Sequence, residues 1–355
     1  MSPVYVVLPG DVADPSTPSG GNTYDRRVCA GLPAHGIPVW TVAVPGGWPR
    51  PDAPARAELD NALASVPDGS VVLADGLVAC GVPEIVVPHA RRLRLVVLVH
   101  LPLAGETGLP PALASELDTA ERATLLAASS VVATSSWAAN RLADRHGLDP
   151  ARVHAVPPGT DPAPRAAGTE HGSNLLCVAS VTPRKGQDLL AEALGTVTDL
   201  PWRCECVGPL GRDADYVQRV RELIGRHGIE DRLTLAGPRT GQSLSERYHT
   251  ADLVVLPSHA ETYGMVVTEA LARGIPVLAT EVDAVPDTLG RTPEGDTPGI
   301  LVPPGNVSAL AGTLRRWLSD AGLRARLRAA AARRRDMLDG WETTARLLAE
   351  VLRPR

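Results

Sequence analysis

Two glutamates eight positions apart, Glu261 and Glu269, and one basic pair, Arg184-Lys185, are the side chains of this chain best suited to chemistry. The glutamates lie in the window Ser258-His259-Ala260-Glu261-Thr262-Tyr263-Gly264-Met265-Val266-Val267-Thr268-Glu269. An apolar run, Leu253–Leu256, precedes it. Gly264 opens a helix and Gly274-Ile275-Pro276 closes it. The backbone N–H groups of Tyr263, Gly264 and Met265 then stand at a helix N-terminus. Unsatisfied N–H groups and the positive dipole end suit a phosphate there. Glu269, a turn further in, can hold a diol such as the ribose hydroxyls. Glu261, ahead of the helix, faces the ligand side. Ordinary surface charge is the plain alternative, and the strand–loop–helix setting argues against it.

The basic pair also leaves an apolar strand, Asn174–Ala179, and enters a helix from Gln187. Two cations at the C-terminal end of a strand suit an anion. Arginine offers a planar fork and lysine a point charge. Lys+Arg is 35, yet Lys185 is the only lysine. That bias reads as coding composition, and it makes the one lysine conspicuous. Gly20-Gly21, after the first strand, is expected as a loop before a helix that lets a ligand approach the backbone. His100 closes the run Leu93–His100, just past its buried strand residues and at the same end of its sheet. A solvated pair, a flexible turn and a structural histidine are the bland readings of these three.

Several chemistries are missing. No Gly-x-Gly-x-x-Gly follows a strand, no Gly-x-x-x-x-Gly-Lys-Ser/Thr exists, and no Gly-x-Ser-x-Gly appears. Cys29, Cys80, Cys177, Cys204 and Cys206 lack zinc-like spacing and read as plain buried or strand cysteines. No metal site is expected. A reduced, cytoplasmic protein follows. The net charge of −5 argues against a nucleic-acid binder. No apolar run approaches the ~20 residues of a membrane span. The Arg-rich tail from Ala321 admits a membrane- or phosphate-binding reading. The preferred one is a solvated face on an inward-packed helix, which leaves peripheral membrane contact unsupported.

These residues need strands to carry them. Apolar runs alternate with helical stretches from Val4 to Val156. After a Pro- and Gly-rich stretch beginning Pro157-Pro158-Gly159, the rhythm restarts at Asn174. Continuous apolar runs suit strands buried on both faces of a parallel sheet. The expected fold class is α/β, two doubly wound domains facing one another across a ligand cleft.

Together these windows resemble the retaining GT-B glycosyltransferases of family 4. The likeness rests on Glu261-x7-Glu269 with Tyr263-Gly264 inside it, on Arg184-Lys185-Gly186, Gly20-Gly21 and His100, and on Val156-Pro157-Pro158-Gly159-Thr160-Asp161. It implies two Rossmann-like domains: residues 1–165 for the acceptor and 166–335 for the nucleotide-sugar donor. A final helix, 336–355, returns to the first domain. It implies that Glu261 contacts the transferred sugar, Glu269 the ribose, and Lys185 with an arginine the diphosphate. Gly20-Gly21 would approach the diphosphate from the acceptor side. Thr262, Tyr263, Gly264 and Met265 complete the donor loop. His100 would hold sugar or acceptor. Many relatives carry an arginine where Ser180 stands, so Arg184 is the substitute at hand. Thr262 replaces a common glycine.

The implied activity is hexosyl transfer with retention from a UDP- or GDP-sugar to a hydroxyl of a small molecule or glycan. It needs no metal or further cofactor. The alternatives are a nucleotide-sugar epimerase on the same fold and a non-catalytic nucleotide-sugar binding protein. A glycosidase would need two carboxylates flanking one bond.

Overall fold

A computed structural model describes residues 3–16, 18–106 and 108–353. They divide into two compact units. One is built mainly on residues 19–159 and takes in the chain from Asp339; the other is built on residues 160–338.

The first unit holds β1 (Val4–Pro9), β2 (Val39–Val44), β3 (Val71–Asp75), β4 (Arg94–Val99), β5 (Ser130–Ala133) and β6 (Val153–Ala155). Its sheet is parallel, in the order β2-β1-β3-β4-β5-β6. The second holds β7 (Asn174–Val178), β8 (Arg203–Val207), β9 (Leu233–Gly237), β10 (Leu253–Leu256), β11 (Val277–Thr280) and β12 (Gly299–Val302). Its sheet is also parallel, in the order β12-β11-β10-β7-β8-β9.

Side chains alternate between sheet faces, so a strand buried on both sides feeds two cores. In β4, Leu95, Val97 and Val99 join one core, while Val96 and Leu98 join the other. In β10, Leu253 and Val255 face one core, and Val254 and Leu256 the opposite one. This is why the runs read as continuously apolar. All four free cysteines on β7, β8 and the Gly76–Ala79 helix end (Cys80, Cys177, Cys204, Cys206) are buried in these cores.

The helix expected from Thr23 begins at Gly20, with Ser19 accepting the Asn22 N–H as its N-cap. Gly20 and Gly21 are thus helical and not a loop, a correction that a serine N-cap explains. The short helices Gly76–Ala79, Pro83–His89 and Val285–Leu289 were not expected. They have too few turns to show a periodicity.

The tail forms two helices, Ala321–Arg335 and Trp341–Leu352. Leu348, Ala349 and Leu352 pack with Val4, Val6 and Leu8. The Arg94 guanidinium donates to the carbonyls of Val351, Leu352 and Arg353, capping that helix end. The Arg-rich helix departs from a merely solvated face. Arg328 pairs with the buried Asp252, and Arg335 donates to the Ala272 and Ala163 carbonyls. Arginine's rigid fork suits it to bridging backbone oxygens in this way. Among the described residues, no helix is long and apolar enough to cross a membrane.

Candidate functional site

In the second sheet, β7 and β10 are neighbours whose connections leave in opposite directions. Ligands in open α/β sheets bind at such a reversal, beyond the strand C-termini. The two windows singled out in the sequence leave from these two strands.

After β7 the chain makes a single turn, Pro183–Lys185, and Gly186 takes φ +68 before the helix Gln187–Gly195. A Cβ on Gly186 would stand 2.2 Å from the Pro257 carbonyl oxygen. Only glycine meets both demands. That close approach brings the lysine turn against the loop after β10.

Lys185 Nζ lies 2.5 Å from Glu261 Oε1, and Ser258 Oγ donates to the same oxygen at 2.8 Å. Arg184 Nη1 stands 3.9 Å from Glu261 Oε2 and donates to the Ala260 carbonyl at 3.0 Å. Glu261 is buried. Burial alone would raise its pKa. Lys185 and Arg184, with the hydrogen bonds from Lys185 and Ser258, outweigh burial and hold it below the usual carboxylate range.

Gly264 has φ +86 and opens the helix Met265–Leu271, and no side chain caps it. Thr262 and Tyr263 are half-buried, and the Tyr263 carbonyl accepts from Thr288 Oγ1 at 2.7 Å. Glu269 is half-buried, and its Oε2 accepts from the Tyr248 hydroxyl at 2.7 Å. Burial raises its pKa, against the Tyr248 hydrogen bond and Arg273. Arg273 itself lies over the Tyr248 ring, 4.4 Å from its centroid. The second unit therefore brings together Arg184, Lys185 and Glu261, with Thr262, Tyr263, Gly264 and Met265 following on the same loop. Tyr248 and Asp283 were missed. Tyr248 sits on a separate helix, Gly241–Thr250, so no local spacing ties it to Glu269.

The first unit carries its own cluster, treated by itself. His100 follows β4, and its Nε2 lies 2.9 Å from Oδ1 of Asp25, which is fully buried. Asp75 ends β3, and its carboxylate accepts the Leu77 N–H. Tyr24 meets the His100 ring edge-on at 5.2 Å. A Cβ on Gly21 would come within 3.1 Å of that ring. Gly21 thus makes room for His100, a role the sequence did not suggest. Asp25, Asp75 and His100 have potential ligand atoms within 4.8 Å of one another, as do Asp118, Glu121 and His146. His100 and His146 each lie 25 residues from the nearest carboxylate of their own trio, so short metal-type spacing did not reveal either one. Asp25 and Glu121 already hydrogen-bond the histidine of their own trio.

Burial opposes a charged His100, but Asp25 and then Asp75 overcome it and raise its pKa to about 9. Burial and Asp25 push Asp75 up to about 7. Tyr24 and Cys29 also face Asp25 and are held neutral by burial. The folded state therefore keeps protons that the unfolded chain gives up. Asp75 loses stability as pH rises from the ordinary aspartate value of about 4 towards about 7. The His100 contribution is complete below its ordinary value of about 6.5 and is lost as pH rises through about 9. The melting temperature is expected to fall between these two values, and His100→Gln to flatten that slope. A slope unchanged in the variant would refute the assignment.

Two family models cover most of the chain: glycosyl transferases group 1 over residues 166–334, and glycosyltransferase family 4 over residues 17–164. The chain belongs to glycosyltransferase family 4. It is 33% identical over 256 residues to the D-inositol 3-phosphate glycosyltransferase of Kineococcus radiotolerans, covering 66% of this chain and 59% of that protein. It is 34% identical over 245 residues to the protein of that name from Salinispora arenicola, covering 62% and 54%. The matched region thus spans little more than half the length of these relatives.

The fold of this family 4 member is GT-B. Sucrose-phosphate synthase of Thermosynechococcus elongatus superposes with a TM-score of 0.80 at 21% identity, covering 98% of each chain. Anabaena HepE in complex with UDP-glucose superposes with a TM-score of 0.76 at 19% identity, over 98% of this chain and 99% of that one. In this member Ser180 is half-buried, and its carbonyl accepts from Gln187 Nε2 at 3.0 Å.

Proposed function

We propose that the chain is a retaining glycosyltransferase that moves a hexosyl unit from a nucleoside diphosphate sugar to an acceptor hydroxyl. The observation that carries this reading is the Lys185–Glu261 pair at the strand-order reversal, beside the uncapped helix start at Gly264. A cation and free N–H groups meet a diphosphate there, and a buried carboxylate stands next to them. The curated relatives named as glycosyltransferases and the neighbour solved with UDP-glucose support it.

In the reaction, the bond from the anomeric carbon to the diphosphate oxygen breaks, leaving an oxocarbenium-like centre. The acceptor oxygen bonds to that carbon on the face the diphosphate leaves. The departing phosphate oxygen takes the acceptor proton. Lys185, Arg184 and the N–H groups at Gly264 and Met265 stabilise the growing negative charge. With two cations on the diphosphate, no metal is required. Glu261, ionised because of Lys185 and Arg184, orients the sugar and stabilises positive charge at its ring. Glu269 holds the ribose, with Tyr248 fixing its carboxylate. The His100 cluster is an acceptor subsite of the first unit, and the protein works in the cytoplasm.

The test is a thermal-shift screen with UDP, GDP and their sugars. Saturation near 100 times Kd adds about 2.7 kcal/mol of stability. A clear shift with one base family is expected. No shift with any of them would sink the donor site. Donor turnover with no acceptor and no hydrolysis, giving an epimeric sugar, would favour the epimerase.

A further inference from the structure

Among the described residues, Asp283 is the one non-glycine whose φ is positive, at +49. It sits between β11 and the helix Val285–Leu289, in a turn closed by the Val285 N–H to the Val282 carbonyl at 2.9 Å. Val282 and Ala284 on either side are buried, so the turn is fixed. Glycine adopts a positive φ at the first central position of a turn without strain. An aspartate there is a backbone outlier, and outliers held by their surroundings cluster at functional sites. What the aspartate adds is a side chain. Its Oδ2 accepts the backbone N–H of Glu261 at 2.8 Å.

The rest of the segment works on the same loop. The Ala284 N–H donates to the Glu261 carbonyl at 3.2 Å. Thr280 Oγ1 donates to the Ser258 carbonyl, and Thr288 Oγ1 to that of Tyr263. Glu261 is therefore gripped twice by its main chain, from Asp283 and Ala284. Its carboxylate is gripped by Lys185 and Ser258.

We infer that Asp283 is a positioning residue that fixes the Glu261 backbone, and so sets where the Glu261 carboxylate meets the transferred sugar. The inference rests on the reading of Glu261 given above. The carboxylate of Asp283 acts on the Glu261 main chain, so its loss should change turnover more than nucleotide affinity.

Asp283→Gly keeps the backbone conformation and removes the carboxylate. Asp283→Asn keeps an accepting oxygen and tolerates the left-handed region. Three readouts are compared with wild type: amide exchange over residues 259–264, affinity for UDP and GDP, and release of UDP from UDP-glucose or GDP from GDP-mannose. In Asp283→Gly, exchange of the Glu261 amide rises and turnover falls, each about 10-fold or more, the usual worth of a hydrogen bond to a charged acceptor. Nucleotide affinity stays within about 2-fold, the melting temperature does not fall in step with turnover, and Asp283→Asn restores both losses. Unchanged exchange and turnover in Asp283→Gly would overturn the inference. So would a parallel loss of turnover and nucleotide affinity, which marks general loosening. Glu261→Gln run alongside separates the two readings. If it turns over normally, the role of Glu261 is wrong, and the exchange measurement, which needs no substrate, still decides whether Asp283 holds the loop.

Discussion

Lys185→Ala is expected to lower turnover by roughly 10²–10³-fold, the range for one removed contact to charge developing in a transition state, and to weaken UDP or GDP binding with it. The side chain is largely buried, at 17% exposure, and its charge is answered by Glu261 at 2.5 Å. A diphosphate would arrive with more negative charge than Glu261 offers and draw the ammonium to itself. The alanine variant loses that attraction and strands the Glu261 carboxylate, leaving it only the Ser258 hydroxyl and Arg184 at 3.9 Å. Removing one partner of a buried pair costs about 3–5 kcal/mol, so the melting temperature should fall too. Lys185→Arg separates the effects. It keeps the charge, hence most of the stability. The turn it occupies is pinned where Gly186 meets the Pro257 carbonyl, so a longer planar fork cannot put its charge where the ammonium stood. We expect near-native melting with a large loss of turnover, read by thermal denaturation and donor hydrolysis on one sample. Near-normal turnover in Lys185→Arg would show that the only lysine of the chain is a coding accident.

The strands were legible because burial on both faces leaves an unbroken apolar run, as in Leu253–Leu256 and Val71–Ala74. Their order was not, since it depends on which runs pair, and β7 and β10 are joined through two intervening strands. The loop after β10 was legible because Glu261, Gly264 and Glu269 sit on one strand–loop–helix, where sequence spacing becomes spatial spacing. Asp283 and Tyr248 escaped for the opposite reason. Asp283 reaches Glu261 from 22 residues away, and Tyr248 reaches Glu269 from 21. Local pattern carries no record of either pairing. Gly21 was legible as a glycine before a helix, but the neighbour it makes room for was not. The space it leaves is filled by His100, which lies on another strand's end.

Glu261→Gln is the second large effect, and its profile differs from that of the lysine variant. The amide keeps the shape of the side chain. Its oxygen can still accept from Lys185 and Ser258, and the backbone grip by Asp283 and Ala284 is untouched. Only the negative charge goes. Turnover should fall by roughly 10²–10³-fold, because a neutral amide does not stabilise positive charge at the sugar. Affinity for UDP or GDP should hold or tighten, because Lys185 and Arg184 no longer share their charge with a carboxylate. Loss in both variants, but retained nucleotide binding only in Glu261→Gln, assigns the two members of one ion pair to opposite ends of the donor. The acid behaviour checks the same pair without substrate. Burial would raise the Glu261 pKa, but Lys185 and Arg184 lower it overall, so the folded chain releases this proton more readily than the unfolded one. Its stabilising contribution is complete above the ordinary glutamate value of about 4.3 and is lost as pH falls through the lower folded value. Wild type and Glu261→Gln should therefore differ in melting temperature near neutrality and converge in acid. A difference that stays constant down to low pH would mean that Glu261 is not held ionised by its two cations, and the division of roles would fail with it.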